Sequence, residues 1–193
     1  EPAIVGASHQ FDEINGKPLE SPKVRLILDD GRNHLAYTRD SYDVIISEPS
    51  NPVVAGCANL FTREFFQAAH GALRDGGRLM QWLQVYGMNQ QTVASVLASI
   101  TGEFKYVYGF SFSRGWNDLL LLGTDRELTV AELRGYEVVP LAVRQDLLRL
   151  NVLNWADVAA QLRLIRLPGY CPELNPDELL NQDVKTNALG KSR

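Results

Sequence analysis

Tyr42–Phe66 reads YDVIISEPSNPVVAGCANLFTREFF: a strand, then a Pro/Asn/Gly loop, then a helix. Asp43–Ser47 (DVIIS) is a near-continuous apolar run, as expected of a parallel strand covered on both faces. The run ends on a carboxylate, Glu48, delivered straight into the loop. In an open α/β sheet the carboxyl ends of the strands are where ligands bind. Thr62 is a helix cap, and Phe65, Phe66, Ala69 and Leu73 recur behind it at helical spacing. Asp75-Gly76-Gly77 is the predicted stop of that helix.

Working outward, strand and helix alternate. Pro2 suits the first turn of a helix that runs to about Phe11. Val24–Leu28 (VRLIL) reads as a short strand, ended by Asp29-Asp30-Gly31-Arg32. Arg78–Val85 (RLMQWLQV) reads as a strand, and Asn89–Ile100 as a helix capped by Asn89. Phe104–Phe110 and Asp118–Leu122 read as two strands about the turn Ser113-Arg114-Gly115, an antiparallel hairpin. After Thr124 the texture changes to short helices over Thr129–Arg134, Pro140–Leu150 and Asn154–Leu162. The alternation argues for an α/β fold, a doubly wound and mostly parallel sheet with an antiparallel hairpin, followed by short helices. Three regions result: 1–124 as the sheet-bearing part, 125–162 as helices of the same domain, and 163–193 as a polar tail with prolines at 168, 172 and 176.

Composition excludes several classes. The net charge of −4 gives no electrostatic basis for a nucleic-acid partner. No apolar run approaches the ~20 residues of a membrane helix, and EPAIVGASHQF lacks the build of a signal peptide. Cys57 and Cys171 lie far apart, which favours free thiols in a reducing, cytoplasmic setting. His9, His34 and His70 are scattered, and no cluster has metal-ligand spacing.

Four positions carry candidate chemistry. Asp30-Gly31 can accept from an adenine amino group and let the ring approach the backbone, or Asp30 can simply cap a helix. Glu48, beside Pro49, Asn51, Pro52 and Gly56, can orient an amine or act as a general base, or can pair with a backbone amide or an arginine. Asn51 can bind a ligand or form an Asx turn before Pro52. Gln81, amid apolar neighbours, needs partners, either a ligand or a strand-crossing bond.

The pieces EPAIV, VRLILDDGRNHL, YDVIISEPSNP, ANLFTREFF, LRDGGRLMQW and SRGWNDLLLLGT, taken in order, resemble the polyamine aminopropyltransferases, the spermidine synthase family. The resemblance covers residues 1 to about 162 and is closest to spermidine-synthase-like domains fused to membrane segments in bacteria. It implies a methyltransferase-like Rossmann sheet and transfer of an aminopropyl group from decarboxylated S-adenosylmethionine to a diamine, usually putrescine. By resemblance Asp30 and Gly31 contact adenine, Glu48 is the catalytic acid position, and Asn51 and Gln81 lie near the diamine. Synthases carry Asp where this chain has Glu48, and a second Asp where it has Asn51, so impaired transfer is expected. Glu1 matches the acidic residue two positions beyond the family's ribose-binding Glu, which, with the Gly-rich loop, would precede it.

The family strand order, 3-2-1-4-5-7-6, would make VRLIL the third strand and DVIIS the fourth, with nothing between them. Open edges of that kind invite association, so a homodimer or a non-catalytic interaction module is a second expectation. The tail LPGYCPELNPDELLNQDVK resembles the carboxyl terminus of mariner-like insertion-sequence transposases, with Glu178 at the third acid of their DDE triad. One carboxylate cannot hold two catalytic metal ions, so an inert fusion remnant is expected there rather than action on DNA.

Overall fold

β1 (Tyr42–Ser47) forms where the apolar run predicts it. The computed structural model describes residues 2–112, 118–129, 139–149, 151–154, 156–157 and 162–167. Glu1, the 113–115 turn, nearly all of the predicted 129–134 helix and the whole tail from 168 onward lie outside them. Before β1 come α1 (Pro2–Ser8), a 3₁₀ turn (His9–Phe11), α2 (Asp12–Asn15) and α3 (Gly31–Tyr37). His34 Nε2 and the Tyr42 hydroxyl, 2.8 Å apart, tie α3 to the start of β1.

After β1 a loop and a 3₁₀ turn (Cys57–Phe61) lead to α4 (Arg63–Ala72). Thr62 caps α4, its Oγ1 accepting from the Phe65 N–H at 3.3 Å. The helix ends at Ala72, before the predicted glycine stop, and the chain passes directly into β2 (Leu73–Gln84). Gly76, at φ +73°, lies where the β1–β2 register is irregular. α5 (Gln90–Thr101) is capped as predicted, the Thr92 N–H donating to Asn89 Oδ1 at 2.9 Å. β3 (Tyr106–Phe112) and β4 (Asp118–Thr124) form the predicted antiparallel hairpin. α6 (Leu141–Leu148) occupies the centre of the predicted 140–150 helix.

The sheet runs β1-β2-β4-β3-β5, where β5 is Leu162–Leu167. Its first four strands stand in the order expected of strands 4-5-7-6. The balance of pairing differs from expectation: β1–β2 is parallel, whereas β2–β4, β4–β3 and β3–β5 are antiparallel. The reason lies in Val24–Leu28, which is neither helix nor strand and takes no place in the sheet. A β-rich segment becomes a strand only beside a partner that offers hydrogen bonds and a packing face, and no described strand lies beside this one.

β5 is the other departure. Leu162, the predicted end of a helix, instead opens a strand on the free edge of β3, from Phe112↔Leu162 to Val107↔Leu167. The boundary drawn between 162 and 163 therefore falls inside the sheet. Of the helix expected over 154–162, Ala156 and Asp157 are helical. Asn154 Oδ1 accepts from both of their N–H groups, and Asp157 Oδ2 accepts in return from the N–H groups of Leu153 and Asn154.

One face of the sheet carries the core. Phe65, Phe66 and Ala69 of α4 and Val96 and Ile100 of α5 pack on Leu79 and Leu83 of β2, Val107 of β3, and Leu119 and Leu121 of β4. Truncating a buried Phe of this kind costs about 3–5 kcal/mol. Phe104 closes the layer over Gly123, where any Cβ would lie 2.7 Å from the Phe104 ring. Among the described residues no helix is long and apolar enough to cross a membrane.

Candidate active site

β1 and β2 run parallel, so their carboxyl ends meet at one rim of the sheet. Register pairs Ser47 with Gln81, and Glu48 follows one residue beyond Ser47. Glu48 is exposed, and no hydrogen bond or ion pair holds it among the described residues. The purely structural role considered for it, a partner for a backbone amide or an arginine, is not taken up among the described residues.

The loop beyond it is braced. Asn51 Oδ1 accepts from the Val53 N–H at 2.9 Å, the Asx turn that the Asn-Pro sequence suggests. The Asn51 carbonyl takes the Val54 N–H at 2.9 Å, and the Val54 carbonyl takes the Cys57 N–H at 3.0 Å. Asn51 Nδ2 donates to the Tyr86 carbonyl at 3.1 Å, which clasps the loop after β1 to the loop after β2. Pro52 is buried beneath this turn. Sequence reading missed Tyr86, because a backbone carbonyl leaves no signature in residue type.

Gln81 is fully buried on the sheet face that also carries Leu79 and Leu83. Its Nε2 donates to the Trp82 carbonyl at 3.0 Å, while its Oε1 is buried without a partner. An unmet buried acceptor costs about 1–3 kcal/mol. A donor arriving from outside, such as an amine, would satisfy it. Next to it in sequence, Trp82 Nε1 donates to Asp118 Oδ1 at 3.1 Å, fixing the first residue of β4 beside the end of β2. The polar Asp118 opening the apolar run DLLLLGT was the available signal for that partnership.

Asp30 and Gly31 stand at the amino end of α3. Asp30 Oδ1 accepts from the Asn33 N–H at 2.9 Å, so the capping role is real. Its other oxygen has no partner among the described residues. A Cβ on Gly31 would meet nothing within 4 Å, so neither packing nor backbone strain accounts for glycine there. The space is open to a ligand. Glu48, Asn51 and Gln81 are thus gathered at one rim, with Asp30-Gly31 on a separate element that makes no contact with them through any described hydrogen bond.

Among the described residues two carboxyls titrate below their ordinary range, and neither belongs to this rim. For Asp125, burial acts to raise the value, but the Lys105 N–H and His70 together outweigh it. Glu64, in the first turn of α4, is lowered by its own backbone N–H and by the Thr62 hydroxyl. No group of three or more His, Cys, Asp or Glu among the described residues is arranged to hold a metal ion.

The model of the spermine/spermidine synthase domain matches residues 3–113, which include every candidate residue except Glu1. The chain belongs to the spermine/spermidine synthase family. A polyamine aminopropyltransferase of Korarchaeum cryptofilum is 29% identical over 126 residues, which are 60% of this chain and 39% of that protein. One from Pseudomonas syringae pv. tomato is 38% identical over 92 residues, 45% of this chain and 31% of that protein. The chain therefore spans well under half the length of these relatives.

Solved structures agree on the fold of this spermidine-synthase-family chain. A spermidine synthase in complex with the transition-state analogue AdoDATO superposes with a TM-score of 0.59 at 16% identity, covering 76% of this chain and 58% of that one. Human methyltransferase-like protein 13 in complex with SAH gives 0.54 at 20% identity, covering 77% and 67%. The architecture is Rossmann-like and of the methyltransferase type.

Proposed function

We propose that this chain carries adenosyl-binding and amine-binding residues of an aminopropyltransferase site and serves transfer of an aminopropyl group from decarboxylated S-adenosylmethionine to a diamine. The observation that carries the reading is Glu48: an exposed carboxylate at the carboxyl end of β1, without a partner among the described residues and inside a family match. In the reaction the amine nitrogen attacks the propyl carbon bonded to the sulfonium. The carbon–sulfur bond breaks with its electron pair going to sulfur, and the new secondary ammonium gives its proton to Glu48. Asp30 and Gly31 hold the adenosyl part, and the unmet Gln81 oxygen is an acceptor for an amine N–H. The companion proposals follow from family resemblance: no tightly bound cofactor, no nucleic-acid partner, and a cytoplasmic setting in keeping with the free thiol of Cys57.

The reading includes impairment. Glu48 carries one methylene more than the Asp of the synthases, and a misplacement of about 1 Å costs on the order of 10²-fold. Asn51 lacks the charge that would attract a cationic diamine, and its amide is committed to the Tyr86 clasp. Titration calorimetry with decarboxylated S-adenosylmethionine, followed by product analysis with putrescine, tests the reading. Asp30→Asn, which keeps the helix cap, should weaken adenosyl binding, Glu48→Gln should abolish transfer, and Glu48→Asp should raise it. Transfer undiminished in Glu48→Gln would refute the role of Glu48.

A further inference from the structure

The carboxyl ends of β1 and β2 share their rim with a second carboxylate, Asp118, which opens β4 opposite Gln84, the last residue of β2. Trp82 stands opposite Leu120, so strand alternation puts Trp82 and Asp118 on one face of the sheet. Gln81 lies on the other face, with Leu79 and Leu83. Continued one residue past Ser47↔Gln81, β1 brings Glu48 level with Trp82 on the neighbouring strand. A molecule over the strand ends is thus flanked by Gln81 from one face and by Trp82 and Asp118 from the other.

Asp118 is half-buried, and its Oδ1 accepts from Trp82 Nε1 at 3.1 Å. That bond alone would suit a neutral amide equally well. A carboxylate offers about four lone-pair sites, and Oδ2 has no partner among the described residues, cationic or neutral. Glu48 is in the same state. Two carboxylates at one rim, neither with a counter-ion among the described residues, are complementary to a dication. Asn51 cannot serve in place of Asp118. It carries no charge, and its amide is taken up by the Val53 N–H and the Tyr86 carbonyl.

Two strand spacings across and two residues along separate the Glu48 and Asp118 backbones by about 12 Å. Putrescine, extended and ion-paired at each end, bridges a gap of that order. We propose that Asp118, held in place by Trp82, takes the distal ammonium of a diamine whose reacting nitrogen lies at Glu48, so that the site selects amines with two cationic ends. The proposal rests on the reading of Glu48 as the partner of the reacting amine. A monoamine fits less well, because it would leave Asp118 without a counter-ion.

Titration calorimetry of the full chain with putrescine and with butylamine, which lacks the second nitrogen, tests it. Putrescine should bind at least about tenfold more tightly. Asp118→Asn keeps an oxygen for the Trp82 N–H, so the urea midpoint should hold. It should bring putrescine down to the affinity of butylamine and leave butylamine unchanged. Asp118→Glu should retain part of the preference. Trp82→Phe, which frees Asp118 without removing its charge, should reduce the preference less than Asp118→Asn does. Failure to bind either amine, equal affinity for both, or a preference that survives Asp118→Asn would overturn the proposal. A preference lost in Asp118→Asn, with amine binding and transfer unmoved by Glu48→Gln, would instead sink the role of Glu48 and keep Asp118 as the cation site.

Discussion

Replacing Gln81 with Leu should stabilise the protein while removing an amine contact. The side chain is fully buried, shares its face with Leu79 and Leu83, and has an Oε1 with no partner. The substitution loses the Nε2 bond to the Trp82 carbonyl, worth about 0.5–1.5 kcal/mol. It relieves the desolvation of an unmet acceptor, worth about 1–3 kcal/mol. Leu is close enough in volume to leave no large cavity, so the difference favours the variant by about 1 kcal/mol. The assay is urea unfolding at constant pH. With a slope of about 2 kcal/mol/M, the midpoint should rise by about 0.5 M at unchanged slope. A midpoint lowered by a similar amount would refute the reasoning and mean that Oε1 is satisfied within the folded protein. The same variant should lose affinity for putrescine, a stability gain at the expense of binding of the kind binding sites display.

Gly123→Ala should destabilise by about 1–3 kcal/mol, because the new methyl would lie 2.7 Å from the Phe104 ring; Gly123→Ala combined with Phe104→Leu should recover part of the loss in thermal melting. Asn89→Ala should cost about 1 kcal/mol through loss of the cap on α5, and Asn89→Ser should restore most of it in urea unfolding. Asp125 titrates below its ordinary value of 3.8, so its contribution is fully present above that value and is lost as pH falls through the lower folded value. Asp125→Asn should therefore lower stability at pH 6, and the difference from the parent should shrink as pH falls below 3.8, as read by urea midpoints at several pH values.

What could be read in the sequence was what depends on near neighbours along the chain. Thr62 and Asn89 announced their helices because a cap acts within three residues of itself. DVIIS announced β1 because a run apolar on both faces has few other uses. VRLIL had the same local character and failed to join the sheet, because pairing is decided by what lies alongside. β5 was hidden for the converse reason: LRLIRL has charges every third residue, and what makes it a strand is the free edge of β3. In the site, residue types pointed to Glu48, Asn51 and Gln81. The Tyr86 carbonyl and the empty acceptor on Gln81 could be seen only in three dimensions.

α4 gives way to β2 at Ala72–Leu73 with no intervening loop. Two rulers of different pitch are thereby joined end to end. Sliding β2 by one residue along β1 would turn each of its side chains to the opposite face. Between the pairs Tyr42↔Leu73 and Val44↔Arg78, five residue steps of β2 face two of β1, and this bulge, with Gly76 at φ +73°, is where the two pitches are reconciled. The alignment of Ser47 with Gln81 that sets the rim of the site is therefore held by the regular ladder that begins at Val44↔Arg78, downstream of the bulge.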